Sequence, residues 1–296
     1  MKQDITPSAP SAATLADPEP PMYYGTPQEA CMEAFRNLCA RHEISNLMAV
    51  KLRKLEAYDI VIIADDSGSM RTKSTTGLSD SNPFAETATR WDELKATISI
   101  VTEIAMTLDE DGIDVFFLNR DPIRNISGPS LDLDMAFLNL PQGFTPITRV
   151  LREVLREKWH SQQVEDRKTL LILIATDGQP TDDQGNLDKH NLKRVLEQER
   201  GRVGDIPVVF LVCTDDDHEI AYLNEWDNVV DDYLTERSQI LAVQGAGFPF
   251  SRGDWVCKML LGAVDTEIDA LDECPVLLDS TVGSYTKENS GGCEIQ

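Results

Sequence analysis

Asp65, Ser67 and Ser69 fall in the segment Asp65-Asp66-Ser67-Gly68-Ser69-Met70, directly after the apolar run Ile60-Val61-Ile62-Ile63-Ala64. A buried strand that ends in a carboxylate and two hydroxyls presents a cup of oxygens at its carboxyl end. Open α/β sheets bind ligands at such ends, and hard divalent cations take oxygen ligands. Two later segments have the same character, Gly143-Phe144-Thr145-Pro146 and Ala175-Thr176-Asp177-Gly178. Together the three loops offer Asp65, Ser67, Ser69, Thr145 and Asp177 as candidate metal ligands. Each piece also has a purely structural reading. The serines can cap a following turn, Asp177-Gly178 can be a turn, and Thr145-Pro146 can start a helix.

The elements that must position these residues alternate from Tyr58 onward. Apolar strands are expected at Ile60 to Ala64, Val115 to Leu118, Leu170 to Ala175, Val208 to Cys213 and Val229 to Leu234. The third and fourth are nearly continuous apolar runs, the pattern of parallel strands covered on both faces. Between the first two, Trp91, Leu94, Ile98, Val101, Ala105 and Leu108 recur at steps of three and four, which predicts a helix with one apolar stripe ending at Asp111-Gly112. Further helices are expected at Ile147 to Trp159, Leu187 to Arg200, Ile220 to Trp226 and Asp254 to Leu271. The expected fold class is α/β, a doubly wound, mostly parallel sheet flanked by helices.

Domain organisation follows from composition. Residues 1–25 are rich in Pro, Ala and Ser and read as a flexible tail. Residues 26–57 form a helical preface opened by Thr26-Pro27-Gln28-Glu29, with Thr26 as cap and Pro27 in the first turn. The main domain spans 58–241, a helical extension spans 242–278, and small polar residues make 279–296 a second flexible tail. The polar stretch Arg71 to Thr89 reads as a surface loop beside the first motif.

The chain has 296 residues, 27 Lys and Arg against 51 Asp and Glu, and a net charge of −24. That balance opposes nucleic acid and anionic membrane surfaces, whose binding is built from Lys and Arg contacts. The longest clear apolar stretch, Leu170 to Ala175, is too short to span a bilayer. The amino terminus shows no secretory signal, and the six cysteines contain no C-x-x-C pair, so a reducing, cytoplasmic setting is expected.

D-x-S-x-S after a strand, a threonine in a Gly-x-Thr-Pro loop, and Thr-Asp-Gly after a later strand together resemble a von Willebrand factor type A domain with a metal-ion-dependent adhesion site. The resemblance covers roughly Tyr58 to Leu241. It implies that the hydroxyls of Ser67, Ser69 and Thr145 touch a cation, with Asp65 and Asp177 ligating it directly or through water. It further implies magnesium as the ion, with manganese or calcium as substitutes, and a protein partner that offers an Asp or Glu carboxylate. Such a module binds and does not catalyse. Phe144 departs from the pattern, since many relatives carry glycine there.

Two other readings compete. A metal-dependent phosphatase or hydrolase would use an Asp at the end of the first strand, but position 67 is serine where D-x-D has a second carboxylate. G-x-S-x-G and G-x-x-x-x-G-K are absent, Gly245-Ala246-Gly247 lacks a third glycine, and the four histidines have no metal-ligand spacing. A scaffold with a vestigial metal site is the other reading. Separately, the terminal Cys293-Glu294-Ile295-Gln296 fits C-a-a-X, making Cys293 a candidate prenylation site that would add membrane association.

Overall fold

The structure is a computed structural model that describes residues 27–74, 88–108, 112–128, 130–161, 168–202, 204–214, 216–223, 229–230, 233–275, 277–279 and 284–286. The candidate lipidation site Cys293, the tail at 1–25, the cap Thr26 and most of the loop after the first motif lie outside these residues.

Two helices precede the sheet, α1 (Pro27–Arg41) and α2 (Asn46–Leu52), the second capped by Ser45, which accepts from the Met48 amide. Strand β1 (Tyr58–Ala64) follows, then α3 (Arg90–Leu108), β2 (Ile113–Phe117) and β3 (Ile123–Ile126). Next come α4 (Leu131–Leu138), α5 (Ile147–Val154), β4 (Thr169–Thr176), α6 (Lys189–Arg194) and β5 (Val208–Val212). The chain continues through α7 (Asp217–Ile220), β6 (Val229–Val230), α8 (Tyr233–Gln244), α9 (Arg252–Leu261), α10 (Thr266–Asp269), β7 (Leu277–Asp279) and β8 (Ser284–Thr286).

The sheet has the order β3-β2-β1-β4-β5-β6, with β3 antiparallel to β2 and the remaining neighbours parallel. Successive residues of a strand face opposite sides, and the apolar runs fill both. Ile60, Ile62, Leu171, Leu173, Val209 and Leu211 enter a core with α1, α2, α3 and α9. Val61, Ile63, Ile172, Ile174, Val208 and Phe210 enter a second core with α5 and α6. Helices therefore cover both faces, and the strands lie buried between them.

From β1 the chain steps to β2 on one side, and later to β4 on the other. The order thus reverses between β1 and β4, the position at which open α/β sheets generally bind ligands.

The preface and the extension cover the same face and are tied to each other. Asp254 lies on α9, whose start carries a capping box with Ser251, and its carboxylate also accepts from the Ser45 amide at 2.7 Å. The position-241 boundary expected from sequence falls inside the continuous helix α8. The helix expected from Asp254 to Leu271 is broken into α9 and α10. Asp265 causes the second start by accepting from the Glu267 amide at 3.0 Å, held there by Lys51 and Lys54 at 3.1 and 2.9 Å. The strand expected over Val229 to Leu234 is shorter, because α8 already begins at Tyr233. Ser284–Thr286, within the stretch read as a tail, pairs with Leu277–Asp279 at the end of the extension.

Candidate metal centre

Strand β1 carries the chain straight into Asp65, whose amide extends the ladder by donating to Ala175 O at 3.0 Å. The Asp65 side chain is fully buried. Its Oδ1 accepts from the Ser67 amide at 2.9 Å, a local turn that swings the two serines back over the strand end. Its Oδ2 accepts from Thr176 Oγ1 at 2.6 Å, which links the ends of β1 and β4. A 3₁₀ turn over Gly68–Arg71 then begins, anchored by the buried Met70.

Ser67 Oγ and Ser69 Oγ lie 3.0 Å apart, and Ser69 Oγ donates to Asp177 Oδ1 at 2.7 Å. Asp65, Ser67, Ser69 and Asp177 therefore form one connected cluster across two strand ends.

Thr145 joins through its loop. Gly68 N donates to Gly143 O at 3.3 Å and Gln142 N to Asp66 O at 2.7 Å, pinning residues 142–143 to the first motif. Thr145 N donates to Thr181 Oγ1 at 2.9 Å, and Thr145 O accepts from Thr181 N at 2.9 Å, which pins the other side to the loop after β4. Thr145 is buried. Among the described residues, no hydrogen bond joins its hydroxyl to the other four.

Several residues of the site carry no signal that the sequence reading used. Arg90, the first residue of α3, donates through Nη1 to Asp177 Oδ2 at 2.8 Å and through Nη2 to Thr214 Oγ1 at 2.8 Å. Asp66 turns away from the cluster: Oδ1 accepts from Asn119 N at 2.8 Å and Nδ2 at 3.1 Å, while Oδ2 pairs with Arg120 at 2.9 Å. Asn119 Nδ2 also donates to Phe144 O at 2.9 Å, so one side chain holds both loops. Gly143 permits this approach. Its φ is +106°, and a Cβ would lie 2.4 Å from Asn119 Oδ1. Thr176 stands inside the quoted Thr-Asp-Gly motif, yet its link to Asp65 is visible only once β1 and β4 are neighbours.

Burial, followed by the nearby Asp177 carboxylate, pushes Asp65 up to about 7, against the hydrogen bonds from Thr176 and Ser67 that oppose the shift. Two carboxylates brought this close under burial favour a positive charge between or beside them. Arg90 supplies one from the side.

Adjacent oxygens in an octahedron at magnesium–oxygen bond length lie about 3 Å apart. The separations of 3.0 Å for Ser67–Ser69 and 2.7 Å for Ser69–Asp177 are of that size, and they are equally the lengths of the hydrogen bonds that join these pairs. No group of three or more His, Cys, Asp or Glu that could hold a metal occurs among the described residues. The cluster here differs in kind, combining two carboxylates with hydroxyls.

No protein-family model matches the chain, and no curated protein matches it either.

Proposed function

We propose that the chain is a divalent-cation-dependent protein-binding module, a doubly wound domain resembling the von Willebrand factor type A family, that takes a carboxylate from a protein partner. The observation that carries this reading is the connected cluster of Asp65, Ser67, Ser69 and Asp177 at the point where the strand order reverses. Ser67, Ser69 and Thr145 would hold the ion through neutral oxygens, with Asp65 and Asp177 beside them. When bound, magnesium supplies a positive charge that neutral hydroxyls leave undiminished, available to an external Asp or Glu.

The chain's own part is preorganisation. Asp65 fixes Ser67 through its amide, Thr176 fixes Asp65, and Arg90 fixes Asp177. Thr181 fixes the Thr145 backbone, and Asn119 keeps the Phe144 carbonyl turned inward.

The setting that fits is the cytoplasm. The described cysteines Cys31, Cys39, Cys213, Cys257 and Cys274 are free thiols, as a reducing compartment requires. No helix among the described residues is long and apolar enough to cross a membrane.

A pull-down from host extract with and without magnesium tests the reading. Partners retained by the wild-type chain with the ion, and lost both on chelation and with Asp65→Ala, are the expected result. Capture indifferent to chelation would instead favour a scaffold.

A further inference from the structure

Helix α4 reads Leu-Asp-Leu-Asp-Met-Ala-Phe-Leu, so six of its eight residues are apolar. A helix that is apolar all round is normally buried all round. Here one side alone is covered. Leu133 and Phe137 enter the core, whereas Leu131, Met135 and Leu138 are 75%, 52% and 72% exposed. The spacing i, i+4, i+7 places these three on one face. At about 100° per residue they span about 60° of the helix surface and about 10 Å of its length. Asp132 and Asp134 lie one on each flank of that stripe, and both are exposed.

The helix is fixed in this pose from its inner side. Ser130 caps it by accepting from the Leu133 amide at 3.2 Å. The Phe137 ring lies 4.3 Å from that of Trp91, whose Nε1 donates to Phe137 O at 3.0 Å. Arg120 donates to the carbonyls of Ala136 and Asn139, the latter at 3.1 Å, and so ties down the last turn. With the inner face anchored in this way, the outer three side chains stay turned toward solvent. A contiguous apolar stripe held outward marks an interaction surface.

We propose that this face of α4 docks an amphipathic helix of a protein partner, one whose apolar stripe is edged with Lys or Arg. Geometry sets the first term. The α4 backbone is engaged in its own ladder and offers no edge to an extended strand. Side chains at helical spacing pack instead into the grooves of another helix. Charge sets the second term. Asp132 and Asp134 bracket the stripe, with Asp134 Oδ1 also 3.0 Å from Lys95 Nζ, and the whole chain carries −24. Cations beside the partner's stripe complement both flanks. A second copy of the chain fits badly. Paired α4 helices, parallel or antiparallel, would oppose aspartate to aspartate. The proposal does not depend on a bound cation.

The test titrates three capped helical peptides of equal length into the full chain, with chelator throughout, followed by fluorescence anisotropy. The first carries Leu at i, i+4 and i+7 edged with Lys. The second keeps the Leu stripe and is edged with Glu, and the third keeps the Lys edges around Gln in place of Leu. The Lys-edged Leu peptide is expected to bind about tenfold more tightly than either of the others. A Leu131→Ser, Leu138→Ser double variant is expected to lose about tenfold for that peptide and to keep the wild-type melting temperature. Asp132→Asn with Asp134→Asn is expected to narrow the gap between the Lys-edged and Glu-edged peptides at low salt. Since both leucines are exposed, either single leucine variant serves if the pair fails to fold.

Equal affinity for the two Leu peptides, binding of none, or affinity that survives the leucine variants would overturn the proposal. A Gln peptide that binds as tightly as its Leu counterpart would do the same. So would a concentration-dependent dimer that Leu138→Ser dissolves, which would assign the face to a second copy of the chain. Binding to lipid vesicles removed by the same change would assign it to a membrane surface, and would also overturn the proposal.

Discussion

Arg90 reaches back from the first turn of α3 to Asp177 at the end of β4, with Nη1 to Oδ2 at 2.8 Å. Asp177 Oδ1 is already taken by Ser69, so both oxygens of this buried carboxylate have a fixed direction. The guanidinium thereby stabilises the cluster as it stands, and it would weaken the pull of Asp177 on the proposed cation.

Replacing Arg90 with Gln should separate those two effects. Breaking a buried pair from one side leaves a carboxylate uncompensated, so ion-free stability should fall by about 3 kcal/mol. Magnesium should then restore much of the loss, giving a larger ion-induced shift than in the wild type. Urea unfolding with and without magnesium measures both quantities. A variant whose magnesium shift equals that of the wild type would contradict the assigned role of Arg90.

The response to magnesium should depend on pH. With its pKa raised from 3.8 to about 7, Asp65 in the folded, ion-free chain keeps a proton that the unfolded chain has released. The folded state binds more protons in that window, so this group's contribution makes ion-free stability fall as pH rises from about 4 to about 7. A cation competes with the same proton. The magnesium-induced thermal shift should therefore be larger at about pH 8 than at about pH 6, whereas a shift that does not involve Asp65 would gain no pH dependence from this group. Melting curves at the two pH values decide the sign.

Gly143→Ala should weaken the centre without touching a ligand. The new Cβ would press on the Asn119 amide, which holds both Asp66 and the Phe144 carbonyl, and φ at +106° is strained for alanine. Displacing such a supporting residue is expected to cost about tenfold in magnesium affinity. Calorimetric titration reads that change, and unchanged affinity would show that the Thr145 loop is placed by other contacts.

Gly253→Ala probes whether the preface and the extension belong to one folding unit. A Cβ at Gly253 would lie 2.1 Å from His42 O and 2.9 Å from Ile44 Cγ1. Backbone cannot yield cheaply, so a loss of about 2–3 kcal/mol in a single cooperative transition is expected. A separate early transition would mean that α1 and α2 unfold apart from the sheet.

The sequence made the centre of the sheet legible because buried parallel strands leave nearly unbroken apolar runs. Ile60 to Ala64 and Leu170 to Ala175 became strands, as did all but the last residue of Val208 to Cys213. The stripe from Trp91 to Leu108 became α3 for the same kind of reason. Edge elements were harder. Strand β3 has four residues, two of them exposed, with Asn125 at positive φ. Helix α4 begins Leu-Asp-Leu-Asp, which alternates like a strand until its tertiary contacts decide the matter. Within the candidate site, Asp65, Ser67, Ser69, Thr145 and Asp177 were picked out by type and order, and the hydrogen bonds connect four of them, Thr145 excepted. Arg90 was not picked out, because a lone arginine at a helix start acquires its partner only when α3 packs beside the end of β4.

The central claim is tested most directly by calorimetric titration of magnesium into the purified chain and into Asp65→Ala. The account predicts saturable binding at one site in the wild type and none in the variant. Absence of binding in the wild type, or equal binding in both, would contradict it.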